Sequence, residues 1–104
     1  MSTTANVQDY YQEMASRHGM SVDMFDMLDI TGGEDITVAD VRDELSITTP
    51  EAKALLTRAT DNGYLWKVPG KSTYMFTPKG AAPFGGLGAR AVQELREAGW
   101  KQNA

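Results

Sequence analysis

The sequence contains no cysteine and a single histidine, His18, among its 104 residues. Without thiols there is no disulfide framework, no cysteine-based zinc site and no thiol nucleophile, a composition suited to a reducing cytoplasm. A lone imidazole has no second histidine with which to share a metal or a proton relay, and no serine lies in a nucleophile-elbow context. Long apolar runs are missing as well. Nothing approaches the roughly 20 residues that a membrane-spanning helix needs, and Met1–Asn6 lacks the basic start and apolar stretch of a secretory signal. These absences predict a soluble cytoplasmic protein that is not an enzyme, with no cofactor, no metal, no catalytic residues and no membrane partner.

Cations are scarce in the first half. Residues 1–50 carry ten carboxylates against Arg17 and Arg42, whereas residues 51–104 carry four against eight basic side chains. Between positions 53 and 90 the only acid is Asp61, facing six basic residues. The formal net charge of −4 thus conceals an asymmetric field that can orient a chain on a polyanion. Two ordinary solvated faces would read the same way, and charge alone leaves both readings open. The acidic string Asp23, Asp26, Asp29, Glu34 and Asp35 lacks the alternating ligands and glycine of a calcium loop, and reads as a solvated helix face.

What is present is a succession of helix signals followed by a change of period. Val7, Tyr10, Tyr11 and Met14 fall on one side of a helix over about Asn6–His18, with Gly19 at its end. A second helix starts near Ser21, is apolar on two overlapping stripes (Val22, Met24, Phe25, Met27, Leu28, Ile30), and closes at Thr31-Gly32-Gly33. The methionines and Tyr10, Tyr11 and Phe25 read as core or dimer packing rather than a cofactor pocket. Thr37 and Asp40 have the spacing of a capping box, with Ile36 and Val41 at the positions of a hydrophobic staple, for a short helix ending near Leu45. Thr49 as cap, Pro50 in the first turn and Glu51 at the positive end of the dipole open another helix, which runs to about Asn62 before Gly63.

Beyond Gly63 the pattern is extended. Tyr64–Val68 and Thr73–Thr77 are aromatic and β-branched, and Pro69-Gly70-Lys71-Ser72 has hairpin length. Pairing Val68 with Thr73 sets Leu65 opposite Phe76 and Lys67 opposite Tyr74, with Trp66 and Met75 on the other face. Pro78 to Gly86 reads as a loop, and a last helix from about Gly88 to Ala98 carries Ala91, Val92 and Leu95 on one side. Gly86-Leu87-Gly88-Ala89-Arg90-Ala91 matches a G-x-G-x-x-A dinucleotide fingerprint by letter. That motif requires a preceding parallel strand and a later acidic strand, for which thirteen remaining residues leave no room. A hinge before the last helix is the better reading.

The expected architecture is mainly α with a small β-hairpin (α+β): a winged helix-turn-helix with extra N- and C-terminal helices. The division runs 1–20 for an extension helix, 21–80 for the winged core and 81–104 for a loop and terminal helix, all in one domain. The run Ile36–Ile47, then Leu55-Leu56 with Asn62-Gly63-Tyr64-Leu65, then Tyr74-Met75-Phe76-Thr77-Pro78-Lys79-Gly80, resembles winged-helix regulators of the MarR and PadR type. The resemblance implies a support helix, a recognition helix ending at a glycine, and a wing, and hence a duplex-DNA-binding transcriptional regulator. The wing loop here is short, and the turn between the two helices lacks a glycine.

The resemblance places the recognition helix at 49–62 in the major groove and the wing at 64–77 on the backbone. Facing away from Ala52, Leu55, Leu56 and Ala59 are Thr48, Thr49, Glu51, Lys53, Ala54, Thr57 and Arg58. Lys53 and Arg58 can reach guanine edges or phosphates, and Thr48, Thr49 and Thr57 can donate to phosphates or touch a thymine methyl. Arg58 suits a surface ion pair equally well. Lys71 and Ser72 at the wing tip suit a backbone or minor-groove contact, with Lys67 and Lys79 as weaker candidates. The partners expected are double-stranded DNA and a second copy of the chain, with Tyr10, Tyr11 and Met14 meeting Val92, Leu95 and Trp100 in a homodimer. Two alternatives stay open. One is a protein-interaction module with a protein partner, using an exposed Trp66, Met75 and Trp100 patch. The other is a plasmid or phage accessory factor for replication or DNA transfer.

Overall fold

The computed structural model of the chain describes residues 3–31 and 35–101. Two helices come first, α1 (Thr3–Arg17) and α2 (Val22–Thr31). Gly19, at φ +70°, turns the chain between them, and the Ser21 hydroxyl caps α2 by accepting from the Met24 amide at 3.2 Å. The Tyr11 hydroxyl donates to Asp29 at 3.1 Å and ties the two helices together. Val7 of the expected stripe falls within α1, but its side chain, like the Gly32-Gly33 pair expected to close α2, lies outside what the structure describes.

Next comes α3 (Val38–Leu45), whose start is the expected one. Thr37 and Asp40 form a reciprocal capping box, with both bonds at 3.1 Å. Ile36 and Val41 are buried on either side of it, as a staple requires. The helix ends at Ser46, which adopts a left-handed φ of +54° in place of a glycine. A short turn then leads into α4 (Thr49–Asp61).

The start of α4 is one residue earlier than expected. Thr48, not Thr49, is the cap: its hydroxyl accepts from the Glu51 amide at 3.2 Å, and the Glu51 carboxylate accepts from the Thr48 amide at 2.9 Å. The capping box needs the acid three residues after the cap, and only Thr48 stands at that spacing from Glu51. Gly63, at φ +81°, follows the last turn.

The hairpin β1 (Leu65–Lys67) and β2 (Tyr74–Phe76) pairs antiparallel in the expected register, Leu65 with Phe76, Trp66 with Met75 and Lys67 with Tyr74. An unanticipated bridge joins it to the helices: Ile36 and Tyr74 exchange backbone hydrogen bonds of 2.9 and 2.8 Å. The expected loop after the hairpin is also partly helical. Pro78–Ala81 forms the short helix α5, and Ala82–Phe84 a 3-10 turn. Thr77-Pro78 is itself a cap-and-first-turn signal, and the Thr77 hydroxyl accepts from the Gly80 amide. The chain closes with α6 (Ala89–Glu97), capped by Gly88.

The main core lies where α2, α3, α4 and the hairpin meet. It is built from Met24, Met27, Leu28, Ile36, Val41, Ala52, Leu55, Leu56, Ala59, Tyr64, Leu65, Phe76 and Ala81. Phe84 on the 3-10 turn extends this packing, with its ring centroid 5.1 Å from that of Phe25 and 6.0 Å from that of Phe76. Among the described residues no helix is long and apolar enough to cross a membrane.

Two expectations about the surface are overturned. Leu95 is fully buried within the single chain, so it cannot serve as a dimer contact. The Trp66, Met75 and Trp100 patch is half-buried rather than exposed. For Trp66 the cause is the turn after α6, where Gly99 lies against the indole.

Candidate nucleic-acid interface

A helix can enter a groove only if its outer face is free and its inner face holds it still. In α4 the buried stripe is Ala52, Leu55, Leu56 and Ala59, all small or aliphatic, and it seats the helix on α2, α3 and the hairpin. The remaining positions face out. Thr48, Pro50, Glu51, Lys53, Ala54, Thr57, Arg58 and Asp61 are exposed, and Thr49 is half-buried. Pro50 and Asp61 are additions to the set expected from the sequence, although the helical period alone places both on this face.

At about 100° per residue, the outward positions divide into an apex and two flanks. Pro50, Ala54, Thr57 and Asp61 lie opposite the buried stripe. Lys53 and Arg58 are about 140° apart on the same wheel, so they stand on opposite sides of that apex. The Lys53 flank is shared with Thr60, which borders the base of the wing in a cleft that also includes Leu65 and Trp66. Lys53 has no ion-pair partner within 4.0 Å among the described residues, where the pairs are Arg17–Glu13, Arg42–Asp43 and Arg90–Glu94.

The Arg58 flank faces the other way. Arg58 lines a cavity of about 300 Å³ between α2, the turn after α3 and α4, together with Asp23, Asp26, Glu51 and the apolar Leu45, Ile47, Ala54 and Leu55. It too makes no ion pair among the described residues. Its surroundings are nonetheless acidic. Burial, then the neighbouring Asp29 and Asp23, push the Asp26 carboxyl above its usual range. Glu51 is shifted the opposite way, because the Thr48 amide donates to its carboxylate.

The wing supplies the remaining candidates. Lys67, Lys71 and Ser72 are all exposed. The Lys67 ammonium donates to the Lys71 carbonyl at 2.7 Å, bracing the turn, while the Lys71 side chain is without such a partner among the described residues. Lys79 is exposed at the base of the wing but its ammonium is engaged. Its ammonium donates to the Asn62 carbonyl at 2.7 Å and lies 5.0 Å from the Tyr64 ring centroid, so it serves as a C-terminal cap for α4. Thr77 completes this anchor: its buried hydroxyl donates to the carbonyls of Gly63 and Tyr64. Gly80 is required there, since a Cβ would overlap the Tyr64 carbonyl.

Other chemistry finds no matching geometry in the described residues. No group of three or more histidine, cysteine or acidic side chains that could hold a metal occurs among them. The Gly86–Ala91 stretch leads into α6 from a coil, and the sheet among the described residues is a two-stranded antiparallel hairpin, so no parallel strand precedes it.

The order and packing of α2, α3, α4 and the hairpin define a winged helix-turn-helix fold. No protein-family model matches the sequence, and no curated protein does. Among solved structures the chain is similar to the multiple antibiotic-resistance repressor (MarR) from Listeria monocytogenes, with a TM-score of 0.68 over 90% of this chain and 81% of that one. The two sequences are 19% identical, and the likeness is one of fold.

Proposed function

We propose that the chain is a duplex-DNA-binding transcriptional regulator, with α4 entering the major groove and the β1–β2 wing following the backbone. The observation that carries this reading is the free outer face of α4 standing beside a wing whose tip bears Lys71, unpartnered among the described residues. A major groove about 12 Å wide admits one helix, and a neighbouring positive projection reaches phosphate. A solved structure with a similar fold is, by name, a repressor. In this reading Thr48, Thr49, Lys53, Thr57, Lys67, Lys71 and Ser72 contact DNA, and Arg58 contributes less because of its acidic surroundings. Residues 21–80 form the reading unit, and the flanking segments 1–20 and 81–104 belong to the same domain.

A second copy would give useful affinity and a spaced pair of half-sites. With Leu95 spent inside the chain, the dimer surface centres on Tyr10, which is 54% exposed, and on the half-buried Tyr11, Met14, Val92 and Trp100. A strict monomer by light scattering at tens of micromolar would remove this part of the proposal. The protein-interaction alternative draws on the carboxylates of α2 that border α4, which repel a polyanion and suit a basic partner.

Fluorescence anisotropy with a labelled random-sequence duplex, at low and at moderate salt, tests the main reading. Binding that weakens steeply with salt is expected. Absence of binding at low salt, or equal binding by a Lys53→Ala, Lys71→Ala double variant at every salt concentration, would overturn it.

A further inference from the structure

The apex of α4 is poor in groups that read bases by hydrogen bonding. Between Thr48 and Asp61 there is no asparagine or glutamine, the residues that pair bidentately with adenine. The two cations that could read guanine stand on the flanks, about 70° to either side of the apex at the helical period, where the walls of a groove carry phosphate. Glu51, the residue type that accepts from cytosine, has its carboxylate held by the Thr48 amide at 2.9 Å.

What the apex does present is methyl and methylene surface. Pro50, Ala54 and Thr57 are all exposed and recur at i, i+4 and i+7, one straight stripe about 10 Å long. That length spans about three base steps at 3.4 Å each. The major-groove feature that complements an apolar stripe is the C5-methyl of thymine, the only apolar group a base pair displays there. Asp61 closes the C-terminal end of the stripe with a like charge to phosphate, which favours contact through the N-terminal turns.

Resting on the DNA-binding reading, we infer that α4 selects thymine-bearing sites by apolar contact of Pro50, Ala54 and Thr57 with thymine methyl groups. Lys53 and the wing tip supply affinity without sequence preference. Thr57 is then a specificity-determining residue through its methyl group rather than its hydroxyl.

The test uses the full chain and duplexes enriched from a random pool by binding. Each enriched duplex is remade with deoxyuridine in place of thymidine, which removes only the C5-methyl. Loss of about fourfold in affinity is expected for each contacted thymine, the size of one buried methylene-equivalent, and about tenfold or more when the whole half-site is replaced. Thr57→Ser, which keeps the hydroxyl and deletes the methyl, is expected to weaken binding to the thymine duplex about as much as uracil does at one position, and to add no further loss on the duplex that already carries uracil there. Equal affinity for thymine and uracil duplexes overturns the inference and leaves the DNA-binding reading standing. Failure to bind any duplex at low salt overturns both.

Discussion

The two flanks of α4 each carry one cation without an ion-pair partner among the described residues, yet they stand in opposite surroundings. Lys53 shares its side of the helix with the wing, whose exposed residues include Lys67 and Lys71, whereas Arg58 shares a cavity with Asp23, Asp26 and Glu51. The same unit charge therefore stands beside further cations on one side and among carboxylates on the other. The use of a surface cation is decided by the element packed beside it as much as by its place on its own helix.

The largest effect is expected from breaking the anchor that holds the wing on the Lys53 side. Gly80→Ala drives a methyl into the Tyr64 carbonyl and separates α5 from the end of α4. A loss of about 3 kcal/mol or more is expected, read as a lower urea midpoint. An unchanged midpoint would show that the wing base does not depend on this approach.

Thr48→Ala removes the cap from which both flanks begin, with an expected cost of about 1 kcal/mol in thermal or urea unfolding. Thr49→Ala, one residue on, is expected to cost much less. A larger loss at Thr49 would move the cap to the position that propensity alone suggests.

Smaller again are the effects of single cations on DNA affinity. Lys53→Ala and Lys71→Ala are each expected to flatten the dependence of log affinity on log salt by about 0.9, and Arg58→Ala by clearly less. Equal slopes for all three variants would erase the distinction between the flanks. In the Asp23→Asn, Asp26→Asn background the Arg58 effect is expected to grow toward that of Lys53.

The smallest expected effects are two opposed pH dependences on one cavity wall. Asp26 is held above the usual carboxylate range, chiefly by burial, so the folded protein keeps this proton to higher pH than the unfolded chain. The resulting penalty is present above the folded value and disappears as pH falls through it. Asp26→Asn is therefore expected to stabilise at neutral pH and to have no advantage in acid. Glu51 is held below its usual range, chiefly by the Thr48 amide. Its contribution is present above the unfolded value and is lost as pH falls through the folded one. Glu51→Ala is expected to lower stability at neutral pH, with the deficit shrinking in acid. Urea titrations from pH 3 to pH 7 separate the two, and parallel pH profiles would contradict both assignments.

Features written in short-range spacing are legible in the amino-acid sequence itself. The Thr37–Asp40 box, the Ile36–Val41 staple, the buried stripe of α4 and the hairpin register all follow from rules that act within a few residues. Propensity sets the α4 cap one position late because Thr48 and Thr49 are both good caps and Pro50 is tolerated at either of the first two helical positions. Only the distance to Glu51 separates them. The α5 turn is masked because its proline and glycine read as loop signals, although Thr77-Pro78 also signals a helix start.

The candidate site is legible in the sequence as a set of residues but not as an arrangement. Helical phase places Lys53 and Arg58 apart. That Asp23 and Asp26 of α2 sit beside one and the wing beside the other is a tertiary fact with no local signature. The same holds for Lys79, whose role as a cap depends on a carbonyl seventeen residues away, and for Leu95, whose burial depends on how the last helix folds back.

The paired backbone bonds between Ile36 and Tyr74 have a mechanical meaning. They stitch the residue just before α3 to the return strand of the wing, so the hairpin is sewn to the support helix as well as to α4. A lever fastened at two points does not pivot about either one. The wing and the helix pair must then tilt together, and in the proposed complex the spacing between groove and backbone contacts is a fixed gauge carried by the fold. In the proposed dimer, adjusting the fit to a new site would fall to whatever joins two copies, while the reading head itself keeps its shape.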